Sequence, residues 1–549
     1  MKTDIPVTGP RSKTRRAQSF TAPSSGDLPN SSTTENAESH RAELGLLAHS
    51  GAWSFAGIVA SSVLGFVLVL MVGRLVRVSD AGVFFVAIAI FTVLQIASQL
   101  GADAGLMRMI PQQLVEGRSQ DLRSVIVLSV VPPVLVALAL AAVLWVFAPQ
   151  IAHVFIHGGQ EHWGIPYLRY LAPLLPVATA MTLLLVAARG FGPIRPYVLI
   201  QNMFVPAARP ALVAFGIFVG GLSTAMTLVV AWGAPLALGA AAALWVVISL
   251  VHHQHRRSRP LLPQRHAADL SKEFWLFASP RGLSAVFQIL LTWVDILMVG
   301  LFLSSRDVAV YTVASRYALI ATFALQAMGV AIAPQVSRLF ARHMRLEAQS
   351  VYRFSTGWIV LFSWPALILL AEFSGVFMRL FGAPYVAGAT ALAILSVGML
   401  VYTATGPNAL VLLMSGRSGW NLWTATLALA LNVGLNLVLI RALGIEGAAI
   451  SWTVTLCFAS AFTAVVLYRF ERISPWSRPL GAAVLATAGV AVAGLVGRLL
   501  LGDTVIGLVS SLVVGTALCA LVAWSRRDTL NLSALRVARR PNRTVPAAT

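Results

Sequence analysis

The fold class that the sequence predicts is an all-α integral membrane protein of about fourteen transmembrane helices, two six-helix lobes followed by two further helices. Three observations carry it. Of the 549 residues, 58% are hydrophobic and only 11% are charged, whereas a soluble domain carries about 25% charged residues. Apolar runs recur along the chain at the length of about 20 residues that crosses about 30 Å of hydrocarbon as helix. A pattern in the first half also returns in the second. With a mean hydropathy of +0.80, a soluble fold is excluded, and a barrel would need alternating strands of about 10 residues in place of these longer continuous runs.

Residues 1–50 come first. They are rich in Ser, Thr, Pro, Asn and Arg and hold no apolar stretch long enough for a signal-peptide core, which predicts a disordered tail. Arg11, Lys13, Arg15 and Arg16 resist translocation and predict that this tail is cytoplasmic. Spans follow near 51–73, 81–102, 124–148, 169–188, 197–220 and 223–251, making a first lobe over 51–251. A cytoplasmic loop over 252–272 leads to spans near 275–303, 308–333, 354–378, 384–414, 419–440 and 444–468, a second lobe over 273–468. Two more spans, near 479–501 and 504–524, occupy 469–524, and a basic cytoplasmic tail closes the chain over 525–549.

The formal net charge of +20 would suggest nucleic acid in a soluble chain. Here it follows the membrane instead, and no nucleic-acid partner is expected. Excluding the tails, 18 Lys and Arg residues fall on the side that carries both termini and 7 on the other, span ends being counted with the adjoining loop. Cytoplasmic loops carry this excess, so both termini are expected inside. Cys457 and Cys519 sit within apolar runs, which predicts neither a disulfide framework nor a metal site.

The internal repeat is specific. Leu70-Met71-Val72-Gly73 recurs as Leu297-Met298-Val299-Gly300, an offset of 227, and the same offset pairs Asp80 with Asp307, Val83 with Val310, Val86 with Val313 and Ala87 with Ala314. Pro111-Gln112 then matches Pro334-Gln335 at 223, a drift of about one helical turn. Six helices separate the copies, so the lobes share one orientation and are related by an axis along the membrane normal.

Residues 73–112, residues 274–341 with TWVDILMVGLFLSS at their centre, and LNVGLNLVLIRALGIEGAAIS at 431–451 resemble the polysaccharide transporters of the multidrug/oligosaccharidyl-lipid/polysaccharide exporter superfamily, Wzx-type flippases included. The resemblance covers roughly residues 50–475. It implies a V-shaped pair of lobes around a central cavity that flips undecaprenyl-pyrophosphate-linked oligosaccharides by alternating access. Helix 1 carries no charge before Arg74, unlike many multidrug members.

A pyrophosphate and many hydroxyls cannot cross hydrocarbon without a polar path. Arg209, Arg281 and Arg316 lie within spans, and a guanidinium binds phosphate oxygens through paired hydrogen bonds. Arg209 stands between Pro206 and Pro210, with Gln201 and Asn202 one or two turns earlier, a pattern that predicts a broken, polar helix. Asp295 is the one acid deep within a span. Counted from a turn near residue 305, it lies at the depth of Arg316, so an ion pair is expected, and Asp295 is the candidate for coupling to H⁺ or Na⁺. Asn432 and Asn436, at i and i+4, are candidates for helix association or for sugar contact. Together, Arg209, Arg281, Arg316, Asn432, Asn436 and Gln201 form the candidate substrate-binding set.

No cofactor beyond a coupling ion is expected. The chain holds no D-x-D pair and no G-x-x-x-x-G-K-[ST] loop, which speaks against a glycosyltransferase and against an ATP-driven pump. The expected partners are the lipid-linked oligosaccharide, membrane lipids, and a polysaccharide polymerase with glycosyltransferases. A drug or cation antiporter and a lipid II flippase-like protein share the architecture and stand as alternatives.

Overall fold

A computed structural model describes residues 31–219, 224–257, 265–319 and 322–530. Much of the expected N-terminal tail, residues 258–264 of the expected loop, and 531–549 of the C-terminal tail lie outside the described residues. The chain divides after Ser50, and the description below concerns Gly51 onwards.

The first half comprises α1 (Ser31–Leu75), α2 (Val78–Ser98), α3 (Ala102–Val115), α4 (Asp121–Val146), α5 (Ala148–Phe155), α6 (Glu161–Leu171), α7 (Leu174–Gly190), α8 (Arg195–Tyr197), a π-helical stretch (Val198–Phe204), α9 (Val205–Val219) and α10 (Thr224–Arg257). The second comprises α11 (Ala267–Phe302), α12 (Ser305–Ala318), α13 (Thr322–Ala341), α14 (Arg345–Glu372), α15 (Ser374–Arg379), a 3₁₀ turn (Ala383–Gly388), α16 (Ala389–Ala404), α17 (Asn408–Met414), α18 (Ser418–Leu443) and α19 (Ile445–Glu471). Two further helices, α20 (Arg478–Leu501) and α21 (Val505–Ser525), complete the chain, and no strand occurs among the described residues. Among the described residues, twelve segments are long and apolar enough to cross a membrane, and two bent pairs, α6 with α7 at 45° and α12 with α13 at 42°, bring the number to fourteen if each is one span. They follow the expected order.

Proline chemistry explains the irregular spans. Pro173, without an N–H to continue the ladder, stands at the α6–α7 bend. Around Pro206 the expected break does not occur: Arg195–Phe218 remains one span. The missing donor is absorbed by the π-helical turn Val198–Phe204, whose wider ladder skips a bond without turning the helix.

The repeat is visible in the elements. Gly73 and Gly300 each stand two residues before the end of their helix, α1 and α11, and Asp80 and Asp307 are each the third residue of the next, α2 and α12. Only the second copy is capped: Ser304 Oγ accepts from the Asp307 N–H at 3.3 Å, and the Asp307 carboxylate accepts from the Ser304 N–H at 3.1 Å. Short helices α5 and α15 likewise follow the third span of each half. These two, with α3, are additions that the apolar runs do not announce. Helix also takes up both ends of the segment read as a loop, since α10 reaches Arg257 and α11 starts at Ala267.

The halves meet where α2 packs against α11 and α12. We call the end bearing the α1–α2 and α11–α12 turns the hairpin side and the opposite end the basic side. At the basic side α3 reaches α11 across two glycines: a Cβ on Gly101, which holds φ +79°, would stand 2.2 Å from the Ala278 carbonyl oxygen and 2.5 Å from the Gly282 nitrogen. The last pair, α20 and α21, packs on α14 and is pinned at the hairpin side by Arg379 to Asp503 at 3.0 Å. On the basic side Glu471, buried, draws in Arg417 at 2.8 Å and Arg345 at 3.4 Å. The Leu530 carbonyl accepts from Trp358 Nε1, so the first residues after α21 fold back onto α14.

Candidate functional site

The three candidate arginines share one kind of contact. Each lies over an aromatic ring, and among the described residues none forms an ion pair. Arg209, half-buried on α9, places its guanidinium carbon 3.4 Å from the Trp232 ring centroid on α10. Its Nε is buried without a hydrogen-bond partner. Arg316 on α12 lies 4.5 Å from Trp293 of α11. Arg281 lies 3.7 Å from Phe277, whose carbonyl it also engages at 3.1 Å, and Arg108 of α3 approaches the same ring at 4.3 Å.

A centrally placed Arg costs about 2.5–3.5 kcal/mol on the insertion scale, and a cation–π contact returns about 0.5–2 kcal/mol. For a central guanidinium the ring therefore offsets part of the insertion cost. At 1.5 Å per residue, Arg209 is about 21 Å from the basic end of its span and Arg316 about 16 Å from the hairpin end of α12. Arg281 is about 31 Å from the hairpin end of α11, which puts it at the membrane boundary. The three share no ring or hydrogen-bond partner with one another. Gln201 lies in the π-helical turn with its Oε1 buried and unpartnered.

Asp295 and Arg316 do not meet, contrary to the expected ion pair. Asp295 is 3% exposed and accepts from Asn436 Nδ2 at 2.7 Å, and the same amide donates to Asn432 Oδ1 at 2.9 Å. The turn is asymmetric: Asp295 stands seven residues from the end of α11 and Arg316 eleven from the start of α12, a difference in depth of about 6 Å. The structure thus groups Asn432 and Asn436, both wholly buried, with Asp295 and not with the arginines. Asn436 Oδ1 and Asn432 Nδ2 are buried without partners, as is Thr455 Oγ1 on α19, a helix packed against α11 and α18. Buried polar atoms without partners are costly. A carboxylate and two amides make an oxygen-bearing set suited to a proton or a hard cation.

A seam that the sequence reading missed closes the hairpin side. His157, after α5, donates from Nδ1 to the Gly300 carbonyl at 2.9 Å, and the His157 carbonyl accepts from the Ser305 N–H and Oγ at 3.3 and 3.0 Å. A Cβ on Gly300 would stand 2.7 Å from the Phe155 carbonyl oxygen. In the other copy Gly73 faces Phe381, and Arg74 donates to the Leu380 carbonyl. Each half therefore uses the segment around its short helix to cover the end of the other half's first helix. The repeat offset was the available signal, because it aligns α5 with α15. Of four aromatic residues that could stack on a sugar, Tyr311 and Tyr317 are core residues and Trp364 Nε1 donates to Thr403, while Trp293 meets a candidate cation. His252 and His253 belong to no cluster of three or more metal-ligating side chains among the described residues.

Comparison with known proteins places this geometry. The family model of polysaccharide biosynthesis proteins matches residues 47–340, and the MatE family model matches 280–440. A protein of Haloferax volcanii named as a probable low-salt glycan biosynthesis flippase is 22% identical over 435 residues, covering 78% of this chain and 84% of that one. An uncharacterized membrane protein of Methanocaldococcus jannaschii is 22% identical over 395 residues, 68% and 74% of the two chains. The fold is that of the lipid II flippase MurJ in an inward closed conformation, with TM-score 0.64 at 14% identity over 87% of this chain and 99% of that one. It is also that of the Vibrio cholerae MATE transporter VcmN, with TM-score 0.55 at 16% identity over 78% and 97%. With the first of these family models spanning more than half of its length, the chain belongs to the polysaccharide biosynthesis protein family, within the multidrug/oligosaccharidyl-lipid/polysaccharide exporter superfamily.

Proposed function

We propose that the protein flips an undecaprenyl-pyrophosphate-type lipid-linked oligosaccharide across a bacterial cytoplasmic membrane, with its basic side and both termini in the cytoplasm. The product feeds a polysaccharide polymerase in capsule, exopolysaccharide or O-antigen assembly, after glycosyltransferases have built the repeat unit. One observation carries this reading: intramembrane guanidinium groups rest on aromatic rings and, among the described residues, pair with no carboxylate. Such sites favour an anion, and the planar fork suits phosphate oxygens. Arg281 and Arg108, at the boundary, receive the headgroup, while Arg209 and Arg316 offer charge at depth. The closed hairpin side and the paired halves fit alternating access, in which the His157–Gly300 seam opens as the basic side closes.

In this scheme Asp295, with Asn432 and Asn436, takes up the coupling H⁺ or Na⁺. The carboxylate supplies charge and the amide oxygens replace water. A drug or cation antiporter would place free carboxylates where these arginines stand.

The test is a deletion strain. Loss of surface polysaccharide, with the lipid-linked repeat unit accumulating on the cytoplasmic face, is the expected result. Restoration by Arg209→Lys should be partial and by Arg209→Gln poor, at matched protein levels. Unchanged polysaccharide with accumulated lipid II would overturn the substrate in favour of the peptidoglycan precursor.

A further inference from the structure

We propose that a groove on the membrane-facing surface of the first half is a binding site for an anionic glycerophospholipid of the leaflet on the basic side. The groove runs between α4, α7 and α10 and encloses about 710 Å³, within the 300–1,000 Å³ that is typical of ligand sites. Ile126, Leu184, Leu244, Val247 and Ile248 form its walls. Ser119, Gln120, Arg123 and His252 gather at one end.

That division is amphipathic along the membrane normal. Ser119, Gln120 and Arg123 lie at the start of α4, and His252 lies near the end of α10. From His252 the wall climbs eight residues to Leu244, about 12 Å along the helix and most of one leaflet's hydrocarbon. The wall opens to the membrane, since Leu244 and Ile248 are 48% and 58% exposed.

The polar end is unsatisfied. Ser119 Oγ is buried without a hydrogen-bond partner in a residue 6% exposed. Arg123 is exposed, and among the described residues it makes no ion pair, hydrogen bond or ring contact. The neighbouring acids face other groups. Glu116 holds Arg118 at 3.1 Å, and Asp121, fully buried, accepts the Arg265 N–H at 3.2 Å, leaving its Oδ2 unpartnered. Arg256 lies one turn beyond His252 on α10. A free guanidinium above an apolar trough matches a phosphate above acyl chains, with the Ser119 hydroxyl and Gln120 amide placed for the glycerol esters. The uncompensated positive charge selects an anionic headgroup. The groove is separate from the cations assigned to transport, because α4, α7 and the basic end of α10 carry none of Arg209, Arg281 or Arg316.

Native mass spectrometry of the purified full chain tests this with phosphatidylglycerol and phosphatidylcholine of identical acyl chains. The expected result is retention of phosphatidylglycerol with a preference of about tenfold, reduced to near parity by Arg123→Gln, which removes one charge-assisted contact. Ile248→Trp should fill the trough and lower binding of both lipids, while Leu238→Trp, exposed on α10 outside the groove, should not. An unchanged melting temperature establishes folding, and if Ile248→Trp fails to fold, the exposed Arg123 carries the test. Equal retention of the two lipids by the unaltered protein, or an unchanged preference in Arg123→Gln, would overturn the proposal. Displacement of bound phosphatidylglycerol by a polyprenyl phosphate, prevented by Ile248→Trp, would instead give the groove to the lipid carrier. A chain that flips no glycan yet keeps the headgroup preference would refute only the transport reading.

Discussion

Asp295 and Asn436 offer the sharpest quantitative test, because the structure replaces an expected ion pair with an amide contact. The bond from Asn436 Nδ2 to Asp295 Oδ1 is 2.7 Å long, between two residues that are 0% and 3% exposed. Hydrogen bonds to charged groups contribute about 1.5–3 kcal/mol, and removing one buried partner adds the desolvation cost of the group left behind. Asn436→Ala should therefore destabilise the protein by about 2–3 kcal/mol, whereas Asp295→Asn removes the charge and keeps a neutral partner for the amide. In a double-mutant cycle these two should couple by more than about 1 kcal/mol, while Asp295→Asn with Arg316→Gln should be additive within about 0.5 kcal/mol. Unfolding in mixed detergent micelles, followed by tryptophan fluorescence, gives all four corners of each cycle. Coupling of Asp295 to Arg316 larger than its coupling to Asn436 would refute the geometry.

Other expectations follow from the same packing. Gly82→Ala would bring a Cβ to 1.7 Å from the Ser305 carbonyl oxygen; backbone cannot yield as a side chain can, so a loss of about 1–3 kcal/mol is expected. The loss should come with faster maleimide labelling of a Ser304→Cys reporter, and unchanged labelling and melting would refute the seam. Glu471→Gln should cost about 1–2 kcal/mol, below the 3–5 kcal/mol of a fully buried pair, because Arg345 and Arg417 keep 56% and 36% of their side-chain exposure; thermal melting reads it. Trp232→Leu removes the ring beneath Arg209 and should lower transport at matched protein levels through a loss of about 0.5–2 kcal/mol. If Trp232→Leu matches the unaltered protein while Arg209→Gln does not, the ring only fills space.

The spans were legible because crossing hydrocarbon imposes a length and an apolarity that composition alone displays. What the sequence did not display has three physical causes. Helix α3 and the short α5 and α15 are not long apolar runs, so no window of about 20 residues reports them. The partners of the arginines lie on other helices or on the same one at unforeseen rotation: Trp232 under Arg209, Trp293 under Arg316, Phe277 under Arg281. Equal depth would need a turn centred on residue 305, whereas α11 ends at Phe302 and α12 begins at Ser305, and that small asymmetry separates Asp295 from Arg316. Asn432 and Asn436 read as a pair in the sequence, since i and i+4 share a face, but their acid comes from a helix more than 130 residues earlier.

The two copies share scaffold and differ in chemistry, and that difference bears on how the halves divide the work. At the 227-residue offset, Asp295 corresponds to Leu68, Arg316 to Ala89, Arg281 to Ser54, and the capping Ser304 to Arg77. The equivalent glycines Gly73 and Gly300 are kept, and each takes the segment around the opposite half's short helix. Under the proposed alternating access, repetition is retained where the halves would rock against each other, because a seam with two equivalent docking points can open and close about the axis that relates them. It is lost where charge is handled. The coupling candidate and two of the three candidate cations belong to α11 and α12 of the second half, and the first half contributes Arg209 on the irregular α9. Symmetric substitutions at Gly73 and Gly300 should then act on the open–closed equilibrium in the same direction, whereas introducing Asp at Leu68 should not create a second coupling site. The first copy offers Leu68 no counterpart to Asn436, since the helix that would supply one at the same offset carries Arg209.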